Sequence, residues 1–172
     1  MDLKRHIREI PDFPKPGILF YDISTLLAHA EAWRVTIDRM GDAVAAYQPD
    51  MLAGIESRGF IFAAPVALRL DLGFVMVRKV GKLPGAVVSH SYDLEYGSDT
   101  LQVAEGLIPS GAKVVLVDDL IATGGTAQAS VQLLAKIGAR PVGAVFLIEL
   151  AGLDGRAKLG VPSSTLLTYE GG

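Results

Sequence analysis

The chain has 172 residues, of which 50% are hydrophobic and 20% are charged, and it contains no cysteine. This length suits one domain, because domains commonly hold roughly 100–200 residues, and the missing cysteine excludes disulfides, zinc–thiolate sites and thiol catalysis. Nineteen acidic and sixteen basic side chains give a net charge of −3, which argues against a basic surface that would bind nucleic acid.

The sequence shows no segment for export or for spanning a membrane. Residues 1–6 carry charges and no apolar run follows them, so no secretory signal is predicted. The longest charge-free stretch, residues 120–135, contains Thr, Gly, Gln and Ser and is shorter than the roughly 18–20 apolar residues of a membrane helix. We therefore expect a soluble, cytoplasmic protein with no membrane partner.

Apolar spacing predicts two helices near the start of the chain. Leu3, Ile7 and Ile10 recur at helical spacing behind Asp2, a possible N-cap, and predict a short amphipathic helix. A longer helix that ends at Pro49 is predicted from apolar residues that share one face. These residues are Trp33, Ile37, Met40, Val44 and Tyr47.

Strands and helices then alternate along the chain. Strands are predicted over residues 51–55, 74–77, 113–117, 142–150 and 165–168. Helices are predicted over residues 63–70 and from the Gly124-Gly125 turn to Gly138. The alternation predicts an α/β fold with a central, mostly parallel sheet flanked by helices, in a single domain over residues 1–172.

Residues 81–99 break this alternation. They mix Gly, Pro, Ser, His and Tyr with charged residues and show no sustained period. A connection of this length in a compact domain is usually functional or mobile. The segment is the best candidate for a lid.

The sharpest chemical feature is the string VVLVDDLIATGGT at residues 114–126. A buried strand is predicted to end in Asp118 and Asp119, and a Gly-rich turn then opens a helix. Ligands of open α/β sheets bind at the carboxyl ends of strands, and free N–H groups at a helix N-terminus favour phosphate. Thr123 and Thr126 add hydroxyl donors, and the string matches neither a Walker loop nor a G-x-G-x-x-G turn.

The two acids beside a phosphate site are explained if a sugar lies between them. Carboxylates accept hydrogen bonds from the hydroxyls of a ribose. They would also stabilise positive charge that develops on a ribosyl carbon. The structural alternative is a tight strand-to-helix turn with exposed acids.

The string at residues 114–126 resembles the phosphoribosyl-pyrophosphate motif of the type I phosphoribosyltransferases. Three further segments narrow the resemblance to the adenine phosphoribosyltransferase family: PDFPKPGILFYDI at 11–23, ESRGF at 56–60, and RKVGKLP at 78–84 with YDLEYG at 92–97. They follow the order and spacing of that family, so the resemblance covers nearly the whole chain. It implies transfer of phosphoribosyl to adenine, giving AMP and pyrophosphate, with Mg²⁺ bound mainly through the substrate and not directly by the protein.

The resemblance also implies roles for individual residues on the phosphate side of the site. Arg58, with Ser57, belongs to a turn that meets pyrophosphate. The basic residues Arg78, Lys79 and Lys82 supply charge to the phosphates, partly across a dimer interface, so a homodimer is expected. The 5′-phosphate and ribose contact Asp118, Asp119 and the loop residues Ala122, Thr123, Gly124, Gly125 and Thr126.

On the base side, the resemblance implies that Leu19, Phe20 and Tyr21 lay an aromatic ring against adenine and read its edge through backbone groups. Tyr21 departs from the family pattern, in which some members have a basic residue. Leu120 could line the apolar side of this pocket, or could belong to the core. By resemblance, Glu95 and its neighbour Tyr96 lie on the catalytic loop, where Glu95 assists proton transfer at the purine.

Two alternatives from other functional classes stay open on the residues alone. One is a non-catalytic regulator that senses phosphoribosyl pyrophosphate, although such a protein would normally carry a DNA-binding segment that is not visible here. The other is a sister enzyme for xanthine, hypoxanthine or orotate, against which only the resemblance of residues 13–22 argues. Without the resemblance, the basic residues are better interpreted as a solvated face and Glu95 as an ordinary loop acid.

Overall fold

The structure is a computed structural model that describes residues 1–171. Its strands are β1 (Arg8–Pro11), β2 (Leu19–Asp22), β3 (Met51–Ile55), β4 (Gly73–Lys79), β5 (Val87–Asp93), β6 (Ser98–Ala104), β7 (Lys113–Ile121), β8 (Arg140–Leu150) and β9 (Ser163–Tyr169). Its α-helices are α1 (Ser24–Ala28), α2 (Ala30–Ala45), α3 (Arg58–Arg69) and α4 (Gly125–Lys136), and short 3-10 helices cover Leu3–His6, Ala151–Leu153 and Gly155–Lys158.

Seven strands form the main sheet, in the order β5-β6-β4-β3-β7-β8-β9. The strands from β4 to β9 in that order run parallel, whereas β5 and β6 pair antiparallel with each other and β6 pairs antiparallel with β4. Strands β1 and β2 form a separate antiparallel pair, which we call the N-terminal hairpin (residues 8–22). The mostly parallel α/β architecture predicted from the sequence is confirmed.

Strand β7 explains why helices cover both faces of the sheet. Its side chains alternate between two core clusters, with Val114 and Leu116 on one side and Val115 and Val117 on the other, and all four are at most 1% exposed. A strand buried on both faces needs an apolar run of this kind. The first cluster includes residues of α4, and the second includes residues of α2 and α3.

Most predicted elements are present, with shifted ends. Strand β3 has the predicted bounds, and α2 carries the predicted apolar face but ends at Ala45, before Pro49. Helix α3 begins at Arg58, five residues before the predicted start at position 63. Among residues 1–171, the structure contains no helix that is both long and apolar enough to cross a bilayer.

Two expectations are wrong. The predicted N-terminal helix is a single 3-10 turn, capped by Asp2, and Ile10 lies in β1 because residues 8–11 pair with residues 19–22 across the hairpin. Residues 81–99 are not an irregular connection, since they contain β5 and the start of β6. Cross-strand pairs such as Tyr92 with Asp99 form a second hairpin, which we call the lid hairpin (residues 87–104).

Candidate functional site

The carboxyl ends of β3 and β7 and the first turns of α3 and α4 enclose a cavity of about 430 Å³. Its position agrees with the general rule that open α/β sheets bind ligands at the carboxyl edge. Most of the residues proposed from the 114–126 string lie around it. The wall consists of Ile55, Glu56, Ser57, Arg58, Lys79, Asp118, Asp119, Leu120, Ile121, Ala122, Thr123, Gly124, Gly125, Thr126 and Ala127.

The turn at residues 122–126, which we call the phosphate loop, carries the chain from β7 into α4. Gly124 has a φ of +83°, in the left-handed region that favours glycine, and this conformation lets α4 begin at Gly125. The first N–H groups of a helix have no partner within it. The phosphate loop therefore presents free donors to the cavity, and the Thr126 hydroxyl shares a hydrogen bond of 3.1 Å with the hydroxyl of Tyr92 in the lid hairpin.

The two acids lie inside β7 and not beyond its end, because the strand continues to Ile121. Asp119 is 7% exposed, and its Oδ2 accepts a 2.5 Å hydrogen bond from Nε of Arg58. Asp118 Oδ1 accepts a 2.8 Å hydrogen bond from the backbone N–H of Asp119. Burial, followed by the nearby charge of Asp119, raises the pKa of Asp118 well above its usual value.

The adjacent carboxyls therefore differ electrostatically. Asp119 forms an ion pair with Arg58, whereas burial raises the pKa of Asp118, which forms no ion pair among the described residues. Both carboxyls line the first cavity and can accept hydrogen bonds from a ligand there.

A second cavity of about 400 Å³ adjoins the first at Arg58. It lies between the N-terminal hairpin and the core, and it is lined by Ile10, Phe13, Phe20, Tyr21, Asp22, Ile23, Ser24 and Arg58. The Phe20 ring packs edge-on against Phe13 at 5.0 Å, and the Arg58 guanidinium lies 5.6 Å from its centre. Arg58 is thus the one side chain, among the residues described, that lines both cavities.

The rest of the predicted base-binding segment is divided. Tyr21 lines the second cavity and stacks at 4.3 Å on Tyr169, at the end of β9. Leu19 is 43% exposed and lies outside both cavities. Leu120 packs against a core cluster, as one of its two predicted surroundings, but it lines the first cavity and not the second.

The three basic residues predicted as one cluster point to different surroundings. Lys79 lines the first cavity and forms an ion pair with Asp99 of the lid hairpin, which lowers the pKa of Asp99 and raises that of Lys79. Arg78, its neighbour on β4, instead donates a 2.7 Å hydrogen bond to Glu56. Lys82 is exposed and lines neither cavity.

The lid hairpin places Glu95 and Tyr96 away from both cavities. They lie in the turn between β5 and β6, which is closed by a 3.0 Å hydrogen bond from the Leu94 N–H to the Gly97 carbonyl. Both residues are exposed, and Tyr96 is 86% exposed. Neither residue lines either cavity in this arrangement of the lid hairpin.

Among the residues at the site that were not proposed from the sequence, four contact proposed ones: Glu56, Tyr92, Asp99 and Phe13. Three of them hold proposed residues in place, through the Arg78, Thr126 and Lys79 contacts described above. Phe13 contacts Phe20. The local signal for this hairpin is the short alternation of Leu101, Gln102 and Val103 in β6, which is typical of a half-buried strand but does not show that Tyr92 lies opposite Asp99.

Comparisons with known proteins agree with this geometry. A family model of the phosphoribosyl transferase domain matches residues 21–168. An adenine phosphoribosyltransferase of Rhodospirillum rubrum is 62% identical over 170 residues, with 99% of each chain covered.

Solved structures show the same likeness. The adenine phosphoribosyltransferase of Thermoanaerobacter pseudethanolicus has a TM-score of 0.93 at 46% identity, covering 97% of this chain and 98% of that one. The enzyme of Saccharomyces cerevisiae, solved with adenine and an imino-altritol bisphosphate, has a TM-score of 0.90 at 41% identity, with 96% of each chain covered.

Proposed function

The chain belongs to the adenine phosphoribosyltransferase family, and from that membership we propose how its own residues perform the reaction. It is a purine salvage enzyme that transfers phosphoribosyl from phosphoribosyl pyrophosphate to adenine, giving AMP and pyrophosphate. The names of its relatives favour neither a regulator nor an enzyme for another base. The observation that carries the assignment of roles is the adjacency of a polar cavity and an aromatic one, joined at Arg58.

The phosphate loop binds the 5′-phosphate of the sugar. Support comes from the free N–H groups of residues 123–126 and from the hydroxyls of Thr123 and Thr126, which all border the first cavity. The helix N-terminus itself favours a negative charge, so the loop can bind phosphate without a lysine of its own. The phosphate thereby fixes the ribose next to the acid pair.

Asp118 and Asp119 bind the ribose hydroxyls. Both residues line the first cavity, where their carboxyl oxygens can accept hydrogen bonds from the sugar. Bond breaking between the anomeric carbon and pyrophosphate leaves an oxocarbenium-like centre, as in glycoside hydrolysis. The negative charge of Asp119 stabilises that centre.

Arg58 and Lys79 stabilise the departing pyrophosphate. Each is now paired with a carboxylate, Asp119 and Asp99, so substrate phosphates compete with internal partners for these cations. When bound with the substrate, Mg²⁺ would neutralise further charge on the leaving group. Mg²⁺ would be held mainly through substrate oxygens and water, as suits an ion that keeps several waters and contacts phosphates.

Adenine stacks on Phe20 and forms the new bond from its imidazole nitrogen to the anomeric carbon, losing the proton on that ring. The Arg58 guanidinium now covers the Phe20 ring, so its movement toward pyrophosphate would free a face for the base. Glu95 receives the proton. Because Glu95 lies on the exposed tip of the lid hairpin, this role requires the hairpin to close over the site.

We also propose a homodimer and a cytoplasmic location. Four large apolar side chains of α3, β4 and the residue after β4 are at least 37% exposed, which suits a subunit interface: Ile61, Leu68, Met76 and Val80. The cytoplasm is proposed because a highly charged sugar phosphate does not cross membranes unaided. Tyr96, Leu19 and Lys82 remain proposed ligands that must approach the substrate when the lid hairpin or a partner subunit closes the site.

One assay tests this proposal. Purified protein, Mg²⁺ and phosphoribosyl pyrophosphate are incubated with adenine, hypoxanthine, xanthine or orotate, and nucleotide and pyrophosphate are measured. We expect product from adenine alone. Turnover of another base would contradict the substrate assignment, and tight binding of phosphoribosyl pyrophosphate without turnover of any base would support the regulator.

A further inference from the structure

The phosphate loop has a close neighbour that lies outside the 114–126 string. This neighbour is Gly155, the first residue of the 3-10 turn Gly155–Lys158, and it is buried. A Cβ atom on Gly155 would lie 2.8 Å from the backbone N of Gly124 and 3.0 Å from the carbonyl carbon of Thr123. A Cβ atom on Gly124 would in turn lie 2.9 Å from both Cα and C of Gly155.

These distances describe two backbones in direct contact. Cβ contacts below 3.0 Å essentially do not occur, so a side chain on either glycine would force one backbone to move. The Cβ position of Gly155 lies against backbone atoms of Ala122, Thr123 and Gly124, which belong to the phosphate loop and line the first cavity. Displacing them would therefore change the positions of the phosphate donors.

The segment that carries Gly155 is itself anchored to the sheet. Arg156 donates hydrogen bonds from Nε to the Ser163 hydroxyl at 2.8 Å, from Nη2 to the Ser163 carbonyl at 2.6 Å, and from Nη1 to Glu149 at 3.2 Å. Leu159, which follows the turn, is 2% exposed and belongs to the same core cluster as Ala127 of α4. Gly155 is thus held by β8, β9 and the core.

We propose that Gly155 is a positioning residue for the 5′-phosphate: its backbone supports the phosphate loop from behind and fixes the direction of the loop N–H groups. The proposal rests on the assignment of residues 122–126 to phosphate binding made above. It adds a determinant that is about 30 residues away in sequence and touches no substrate. Arg156 supports the same geometry indirectly, by anchoring the turn.

The test is Gly155→Ala. Gly155 has a 3-10 helical backbone that alanine also adopts, so the substitution adds only the contact with the loop. We expect the Kd for AMP and the KM for phosphoribosyl pyrophosphate to rise about tenfold or more, with the KM for adenine within about twofold of wild type. Isothermal titration with AMP and steady-state kinetics at saturating co-substrate measure these values.

Gly73→Ala is the matched control, because a Cβ at this exposed glycine meets no atom within 4 Å and its φ is not positive. It should leave all three constants unchanged. If Gly155→Ala fails to fold, Arg156→Met is the second test variant. It removes the hydrogen bonds that anchor the turn and adds no atom between Gly155 and the phosphate loop. We expect the same selective loss, about threefold to fivefold, with Arg156→Met.

Thr123→Val separates failure of this inference from failure of the proposed function. The substitution removes a loop hydroxyl and leaves Gly155 itself unchanged. Weaker AMP binding in Thr123→Val, but wild-type constants in Gly155→Ala, would overturn the positioning role alone. Unchanged AMP binding in both variants would overturn the phosphate assignment, and a uniform loss in Gly155→Ala with no difference between the two substrates would show a purely structural effect and overturn the proposal.

Discussion

The two halves of the site are built differently. Most of the wall of the first cavity comes from one continuous stretch, the end of β7 and the phosphate loop, where a buried strand and a glycine turn fix the backbone; residues 55–58 and Lys79 complete the wall. The base side is assembled from β2, α1 and the start of α3, and side-chain contacts such as Phe13–Phe20 and Arg58–Phe20 shape it. A continuous, backbone-built site is specified locally, whereas the base side depends on contacts between distant segments.

The largest effect is expected where the phosphate side performs chemistry. Replacing both acids, Asp118→Asn with Asp119→Asn, should lower kcat/KM by about a thousandfold or more, because the oxocarbenium centre loses its nearby negative charge. The fold should remain, as judged by circular dichroism. The matched control is Asp38→Asn with Asp42→Asn, two carboxylates that pair with Arg69 on α2 and α3. Wild-type turnover in the acid-pair variant would contradict the assigned role.

A smaller effect is expected from the lid hairpin. Glu95→Gln should lower kcat by about tenfold to a hundredfold with little change in either KM, since general-base catalysis is lost while binding is kept. Asp93→Asn, an exposed acid on the same hairpin, is the control for charge alone. An unchanged single-turnover rate in Glu95→Gln would contradict a role for this residue in proton transfer.

The base side should respond to loss of a contact far from the substrate. The N-terminal hairpin has no backbone pairing with the main sheet, and the Tyr21–Tyr169 stack links it to β9. Lys4 adds to this link, with Nζ 4.7 Å from the Tyr169 ring centre and a hydrogen bond to the Thr168 carbonyl. Tyr169→Leu should raise the KM for adenine about threefold to fivefold and leave that for phosphoribosyl pyrophosphate unchanged.

Tyr169→Phe keeps the ring and should restore the wild-type value. Tyr47→Phe is the control, because Tyr47, which follows α2, shares a hydrogen bond with Ser164 of β9 but does not line the base cavity. Equal changes in both KM values after Tyr169→Leu would show that the two halves are not independent.

The smallest effect is one of stability. Burial raises the pKa of Asp118 in the folded state, so the unfolded chain releases this proton first as pH rises. The fold therefore loses stability between the ordinary carboxyl range and the raised pKa. Asp118→Asn cannot ionise, and we expect a higher Tm than wild type at neutral pH but not at pH 3. An identical difference in Tm at both pH values would contradict the pKa shift.

The same contrast explains what could be predicted from the sequence. The 114–126 string specifies its strand, its turn and its donors locally, and most of its residues line the cavity as expected. The end of β7 was misplaced, because nothing local shows that Asp118 pairs in register with Phe146 of β8. Two adjacent acids after an apolar run suggest that the strand has ended, because the strand that pairs with them, β8, is distant in sequence.

Long-range pairing accounts for the remaining errors. Ile10 follows a helical spacing, but pairing with Phe20 across the N-terminal hairpin places it in a strand. The lid hairpin was missed because its residues are polar and irregular in composition, and its form depends on pairing with β4. The contact between Gly155 and Gly124 has no local signal at all, since neither residue indicates the presence of the other.

A crystal structure with AMP tests the central claim most directly. The phosphate should lie on the N–H groups of residues 123–126, the ribose hydroxyls within hydrogen-bond distance of Asp118 and Asp119, and the adenine ring against Phe20. AMP bound with its phosphate elsewhere, and with the phosphate loop unoccupied, would contradict the account.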